Sequence, residues 1–338
     1  SRGLGDVYKR QVSTVCCIFS ATIEGFIFFR LIQGIAGAGG IVVSRSIATD
    51  RFTGKELAKA MAIIGAINGI APVASPVLGG FLTDSIGWKG IFIVLLILGV
   101  LLLFSNLHFK ESLSVDNRKR GNLKSLVSGF GIVLKNRRYV YYVLQMGFAM
   151  GVLFANISSS PFIVQQHYGF SAFEFSLFFG INALAIGLAA GLSVKFKNPE
   201  HAMFLGSVGM TMMSAVEFVI LSNEYHFAVY EAVLFVLLFS MGLTFTASTT
   251  LAMDCERANS GTASALFGAA GFAFGGIVSP LVGLGDILST TGLIFFVCSV
   301  CSLCFSVLAM NQTHTNLWGS FKCKMGPVTR FVFLRREK

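Results

Sequence analysis

The stretch FFRLIQGIAGAGGIVVSRSIATD, residues 28 to 50, sets Arg30, Gln33, Gly34, Gly37, Ile41 and Ser44 at helical spacing, so a guanidinium and an amide share a face with a stripe of small residues. Lipid tails cannot solvate a guanidinium, so Arg30 must face protein or a water-filled cavity, where it favours the charged form of a nearby carboxylate. The competing reading is an arginine that snorkels to the outer interface, about five residues from its helix end. Glu217, in MMSAVEFVI, is the most deeply placed carboxylate. It exchanges a proton if it faces a cavity, or else it points at an amide on a neighbouring helix. Gln145, Asn156 and Asn182 are amides suited to lining a central cavity or to gluing helices together. Glu24 and Glu231 stand near outer helix ends, where solvation is easy, and Glu174 completes SAFE, a capping box. TGKE, residues 53 to 56, is a second capping box.

Other chemistry is poorly served. Cys298, Cys301 and Cys304 have a metal-like spacing, but no histidine or acid lies near them in sequence, so they read as packing residues and no metal is expected. All five histidines fall in loops or the tail, and there is no nucleophile motif. GIAGAGG lies inside an apolar run with no preceding strand, which argues against a nucleotide site. Neither an enzyme nor a cofactor is expected, and an ion gradient is left as the energy source.

The elements that must position these residues are membrane helices. The chain has 338 residues, 54% hydrophobic and 12% charged, with a mean hydropathy of +0.74, and soluble domains carry about twice that charge. Nine spans are expected, at residues 25 to 48, 57 to 82, 90 to 107, 139 to 163, 172 to 194, 202 to 222, 227 to 253, 260 to 284 and 287 to 310. Residues 12 to 23 form a tenth run that is too short. The connections after the first, third, fifth and seventh spans, with the tail and with Arg45 and Lys59 at the adjoining span ends, hold 21 of the 26 Lys and Arg, whereas the other connections hold only Lys89. That asymmetry places the first set in the cytoplasm and accounts for the net charge of +10 without nucleic acid. The basic loop at 108 to 138 and the tail suit contact with anionic lipid, and Leu123, Leu126, Val127, Phe130, Val133 and Leu134 share one face of a short surface helix.

An internal repeat organises the spans. An offset of 204 residues, without gaps, pairs Ser44 with Ser248, Ala48 with Ala252, Asp50 with Asp254, Ser75-Pro76 with Ser279-Pro280, Gly79 with Gly283 and Phe92 with Phe296. Pro72, Ser75, Pro76, Gly79, Gly80, Pro280 and Gly283 are therefore read as hinge and packing residues, together with Gly34 and Gly37. In the same register residues 1 to 11 should be apolar, yet they read SRGLGDVYKRQ. They are expected to be a non-native polar start, the alternative being a truly polar one; if the halves match, two spans and half of a third are missing before residue 12, so that this chain alone is expected to transport nothing. The expected organisation is 12 to 107 for the remainder of an N-terminal bundle, 108 to 138 for the cytoplasmic loop, 139 to 310 for a C-terminal bundle and 311 to 338 for a cytoplasmic tail.

At this point the residues resemble a family. RLIQGIAGAGG is similar to the arginine-bearing fourth helix of the major facilitator superfamily, APVASPVLGG to its fifth-helix antiporter motif, and GWKGIF to the start of its sixth helix. FANISSSPFIVQQHYGFSAFEFSLFFGINAL resembles the seventh and eighth helices of the Bcr/CflA drug-resistance branch. Two departures stand out: Ser75 precedes Pro76 where the antiporter motif has glycine, and Asn156 stands where the branch often has an aromatic residue. The resemblance implies an all-α membrane protein of two pseudo-repeated bundles with twelve helices when intact. It also implies a monomer in the bacterial inner membrane that exchanges protons for drugs or other small toxic compounds by alternating access. A proton-coupled nutrient importer of the same fold and a non-transporting receptor or scaffold are the alternatives.

Overall fold

A computed structural model describes residues 2–51, 54–107, 123–256 and 259–324, and among them the chain is helical with no strand. The helices are α1 (Arg2–Phe19), α2 (Ile23–Arg51), α3 (Gly54–Leu107), α4 (Leu123–Leu134), α5 (Arg137–Pro161), α6 (Ala172–Ser193), α7 (Pro199–Ser222), α8 (Phe227–Cys255), α9 (Ser260–Leu281) and α10 (Ile287–Lys324). Seven segments of the described residues are long and apolar enough to cross a membrane: Leu78–Ser105, Arg137–His167, Ala172–Ser193, Pro199–Ser222, Phe227–Cys255, Gly261–Leu284 and Ile287–Gln312.

Local chemistry sets the helix starts. The apolar run at 12 to 23 is divided at Ser20–Thr22, where the Thr22 hydroxyl accepts from the Gly25 N–H at 3.2 Å and begins α2. Asn136 accepts from the Tyr139 N–H at 3.3 Å at the head of α5, and Asn198 accepts from the Glu200 N–H at 2.9 Å at the head of α7, with Pro199 in the first turn. The SAFE box is present: the Ser171 N–H donates to Glu174 Oε2 at 2.9 Å, and the Glu174 N–H donates to Ser171 Oγ at 3.2 Å. Thr53 of the other box lies outside the described residues, as do 108–122 of the basic loop and 325–338 of the tail.

One feature of α3 differs from expectation. The connection expected between residues 82 and 90 shrinks to one non-helical residue, Gly87, at φ 71° and ψ 174°. Only a residue without Cβ takes that conformation readily, so the helix kinks at this glycine. Through Pro72, Ser75 and Pro76 the backbone stays helical, because proline removes a donor but keeps a helical φ. The side chains of Pro72 and Pro76 lie outside the described set, and Ser75 is exposed.

The repeat is visible in the element boundaries: displaced by 204 residues, α2 (Ile23–Arg51) falls on α8 (Phe227–Cys255) at both ends. Two compact units divide the chain, one comprising Ser1–Arg120 with Phe170–Gly180, the other Gly121–Gly169 with Ile181–Lys338. In the first unit, α1 packs on α2 and α3. Buried Gln11 reaches the Leu96 carbonyl at 3.5 Å, while Phe26, Trp88 and Phe92 meet edge to face with centroids 5.5, 5.6 and 6.0 Å apart. Gly80 is pressed by Ser176 and by the Ala172 carbonyl, which a Cβ would approach to 2.9 Å.

In the second unit, α5 is central, packing on α8, α9 and α10, and α7 packs on α8 and α10. Its core joins Tyr139, Tyr142, Met146, Met203, Ala252 and Phe267, and Val133 brings α4 onto it. The short helix expected at 123 to 134 is thus docked by its buried end, with Leu134 left exposed. After Pro161, α5 loosens into a π-helical turn, Phe162–His167, and after Pro280, α9 ends in a 3-10 turn, Val282–Leu284.

Candidate functional site

Polar side chains gather separately in each unit. In the first, Arg30 Nη1 donates to Gln33 Oε1, and Gln33 Nε2 donates to Thr14 Oγ1 at 2.7 Å. Spacing put Arg30 and Gln33 on one face, but nothing in the sequence linked them to Thr14 of α1. Gln33 is buried while Arg30 is exposed, its guanidinium 5.6 Å from the centroid of the Phe92 ring. No ion pair joins Arg30 to a carboxylate among the described residues, so the amide is its hydrogen-bonding partner there. Gly34 and Gly37 are open: a Cβ at either meets nothing within 4 Å among the described residues. Gly79 and Gly283 are likewise open, and Gly80 is the pressed member of the pair at the end of APVASPVLGG.

Within the second unit, Gln145 is fully buried and bonded through both ends of its amide. Its Nε2 donates to Ser302 Oγ at 3.1 Å, its Oε1 accepts from Ser248, and its carbonyl accepts from Ser302 at 3.1 Å. Of the two roles open to it, this geometry is that of interhelical glue between α5, α8 and α10. Asn156 turns to its own helix, with Ser160 Oγ 2.6 Å from its carbonyl and from its Oδ1. At the end of the unit where α5 and α7 begin, Arg138 pairs with Glu200 at 2.9 Å and donates to the Tyr142 hydroxyl at 3.1 Å. Asn136 donates to Glu256 there at 2.7 Å.

The opposite end holds a different arrangement. Glu217 is 0% exposed, and neither of its carboxylate oxygens has a hydrogen-bond partner among the described residues. The Tyr230 hydroxyl is equally buried and lies beside the Ser160 side chain. Asn182 Nδ2 donates to Glu231 Oε1 at 2.9 Å, leaving Asn182 Oδ1 buried and unused. Glu231 and Tyr230 both lie within electrostatic reach of Glu217. Tyr168, just past the π-helical turn, donates to the Tyr225 carbonyl at 2.8 Å and tilts over Phe227 and Tyr230, with centroids 5.2 and 5.8 Å away. Burial, then the Glu217 and Glu224 carboxylates, push the Tyr168 hydroxyl above its usual value.

The repeat does not duplicate this chemistry. At the offset of 204, Arg30 and Gln33 correspond to Leu234 and Leu237, while Glu217 and Glu231 correspond to Ser13 and Ile27. The shared scaffold therefore carries cationic chemistry in one unit and acidic chemistry in the other.

Sequence reasoning missed that Glu231 and Tyr230 lie within electrostatic reach of Glu217, because the place of Glu231 near a helix end suggested only easy solvation. It also missed two matching pentapeptides, GFAMG (147 to 151) and GFAFG (271 to 275). Their small-xxx-small spacing was the available signal. A Cβ at Gly147 would lie 2.6 Å from the Phe274 ring, and one at Gly275 would run into Phe154.

Comparison with known proteins agrees with this architecture. The Major Facilitator Superfamily profile matches residues 11–280. Over 318 residues the chain is 34% identical to the Bacillus subtilis protein named "Uncharacterized MFS-type transporter YdgK", covering 92% of this chain and 79% of that protein. It is 26% identical to the "Bicyclomycin resistance protein homolog" of Haemophilus influenzae, covering 77% of this chain and 67% of that protein. Among solved structures, a bacterial homolog of the human lysosomal transporter Spinster aligns over 96% of this chain and 84% of its own with a TM-score of 0.69 at 17% identity. The xylose transporter XylE from E. coli aligns over 90% of this chain and 78% of its own with a TM-score of 0.65 at 13% identity, a likeness of fold alone. A helical membrane protein built on a repeat, with an arginine-bearing helix in one half and buried acids in the other, therefore belongs to the Major Facilitator Superfamily of membrane transporters.

Proposed function

We propose that this protein is a secondary active transporter that moves protons inward and small, partly apolar toxic compounds or drugs outward by alternating access. The observation that carries this reading is similarity to a bicyclomycin resistance protein homolog, and to multidrug transporters such as MdfA of Edwardsiella piscicida at 27% identity over 267 residues. In this reading Arg30 and Gln33 belong to the coupling machinery or to the cavity of the first unit, and Glu217 to that of the second. Asn156 and Asn182 border the cavity. Pro72, Ser75, Pro76, Gly79, Gly80, Pro280 and Gly283 serve the helix packing and bending that alternating access needs. The protein works as a monomer in the bacterial inner membrane, with the 108–138 loop and the tail facing the cytoplasm as the Lys and Arg distribution favours.

The test is expression of the complete reading frame in an efflux-deficient bacterium. Drug extrusion that collapses on adding an uncoupler is the expected result, and Arg30→Ala is expected to abolish it. Resistance unchanged by Arg30→Ala would remove that residue from the mechanism. Uptake of a labelled nutrient in place of extrusion would make the protein an importer, and no flux in either direction would make it a receptor or scaffold.

A further inference from the structure

We infer that Glu217 and Glu231 form a two-carboxylate proton site in the second unit, with Glu217 holding the proton away from water and Glu231 passing it to and from the 223–226 turn. Its use in transport rests on the proton-coupled reading above, whereas its existence rests on the geometry that follows.

The two acids stand on neighbouring helices at matching depth. Glu217 lies five residues before the end of α7 and Glu231 four residues after the start of α8, which at 1.5 Å per residue places them about 7.5 and 6 Å beneath the short turn. Glu217 is fully buried with both oxygens unpartnered, and Glu231 is partly exposed and tethered by Asn182. A lone buried carboxylate is strongly disfavoured even after relaxation, and a second one beside it more so. Something positive must therefore accompany the pair.

Among the described residues the helices around the pair bring no lysine or arginine to it; His226 lies in the 223–226 turn itself, its Nδ1 accepting from the Ala228 N–H at 3.3 Å, and His167 lies against Tyr168 with ring centroids 4.7 Å apart. α8 carries no Lys, Arg or His, nor does α10 from Ile287 to Gln312, and α7 carries only His201, 16 residues or about 24 Å from Glu217. The titratable groups that bear on Glu217 are Glu231 and Tyr230 from α8 and Tyr168 from the segment after α5, with Glu224 in the turn acting on Tyr168. From α10, the uncharged Thr291 and Ser299 hydroxyls are buried. A proton fits where a larger ion would need room: it converts an acceptor-only carboxylate into a donor and neutralises it in place. In the exchange, one O–H bond forms on the receiving carboxylate as one breaks on the donor. Water beyond the turn is the only co-reactant, and no electron moves. The buried Tyr230 hydroxyl, beside the Ser160 side chain, is within electrostatic reach of both acids.

Infrared difference spectroscopy of the purified full chain in liposomes tests this without requiring transport. A protonated-carboxyl C=O band is expected that Glu217→Gln eliminates. Glu231→Gln should leave the band but slow its exchange with D2O by about a hundredfold or more, the scale of a positioned proton-transfer group. Persistence of the band in Glu217→Gln, or unchanged exchange in Glu231→Gln, would overturn the site. So would loss of the band on replacing choline chloride with sodium chloride, because the pair would then be a metal-cation site. Glu217→Gln is isosteric, and Glu231→Gln reports on the relay independently should the first variant fold poorly. Absence of drug efflux alongside the expected band behaviour would sink the antiporter reading and leave the proton site standing.

Discussion

Gly206→Ala and Gly276→Ala are the same substitution in two helices of one bundle, and they should move stability in opposite directions. A Cβ at Gly206 of α7 would strike the Thr244 hydroxyl and lie 2.6 Å from the Ser240 carbonyl of α8. Ordinary contact begins at 3.4 Å, so the two backbones must part by about 0.8 Å, and a backbone carbonyl cannot rotate aside as a flexible side chain can. Overpacking of this kind costs about 1–3 kcal/mol, against a helix-propensity gain of about 0.5–1 kcal/mol for alanine over glycine. At Gly276 of α9 nothing lies within 4 Å among the described residues, so only the gain remains. Because the propensity term is common to both, the difference between the variants isolates the cost of overpacking, about 1–3 kcal/mol. Unfolding in mixed micelles, followed by thiol-dye labelling of Cys298, which is 6% exposed in the fold, reads both variants on one scale. Gly206→Ala matching or exceeding Gly276→Ala in stability would refute close α7–α8 contact as the reason for glycine.

Two further predictions use the same assay. Gln145→Leu removes two interhelical side-chain hydrogen bonds from a fully buried amide. At about 0.6 kcal/mol each in a membrane protein, it should cost roughly 1 kcal/mol. Adding Ser248→Ala should cost little more, and strictly additive losses would show that the pair is not coupled. Asp286 starts α10 by accepting from the Ser289 N–H at 2.9 Å, and that bond, with a further one from the Ser289 side chain, holds its carboxyl below the usual value. A carboxyl lowered on folding stabilises above its unfolded pKa and loses that contribution as pH falls through the folded value. Asp286→Ala should therefore cost about 0.5–2 kcal/mol at neutral pH and remove this acid-range dependence. A wild-type unfolding midpoint that falls equally steeply in Asp286→Ala as pH is lowered would discount the cap.

The helices were legible because their signals are local. Expected spans at 139 to 163, 172 to 194, 202 to 222 and 227 to 253 overlie α5 to α8 with shifts of a few residues at most. The Ser171–Glu174 box formed as written. Arg30 beside Gln33 was legible for the same reason, since both lie within one helical turn. The break in α3 was legible between residues 82 and 90, but not that it would shrink to one residue. Glycine takes readily the positive φ that a one-residue kink uses, and Gly87 has it.

Apolar length, the charge asymmetry and the 204-residue repeat are properties of the chain itself, so the sequence alone determined a helical membrane protein of two related halves. Which polar residues meet is decided by distances between helices. Gln145 meets Ser248 and Ser302 across separations of 103 and 157 residues, Asn182 holds Glu231 across 49, and Glu217 is left buried without a partner. A carboxylate in an apolar run looks the same in sequence whether an amide waits opposite it or nothing does. Helix rotation and depth settle which, and these follow from the close approach of α7 to α8 at Gly206 and of α5 to α9 at Gly147 and Gly275. Tertiary packing thereby turned Glu231, legible only as an easily solvated helix-end acid, into the neighbour of the most buried carboxylate in its bundle.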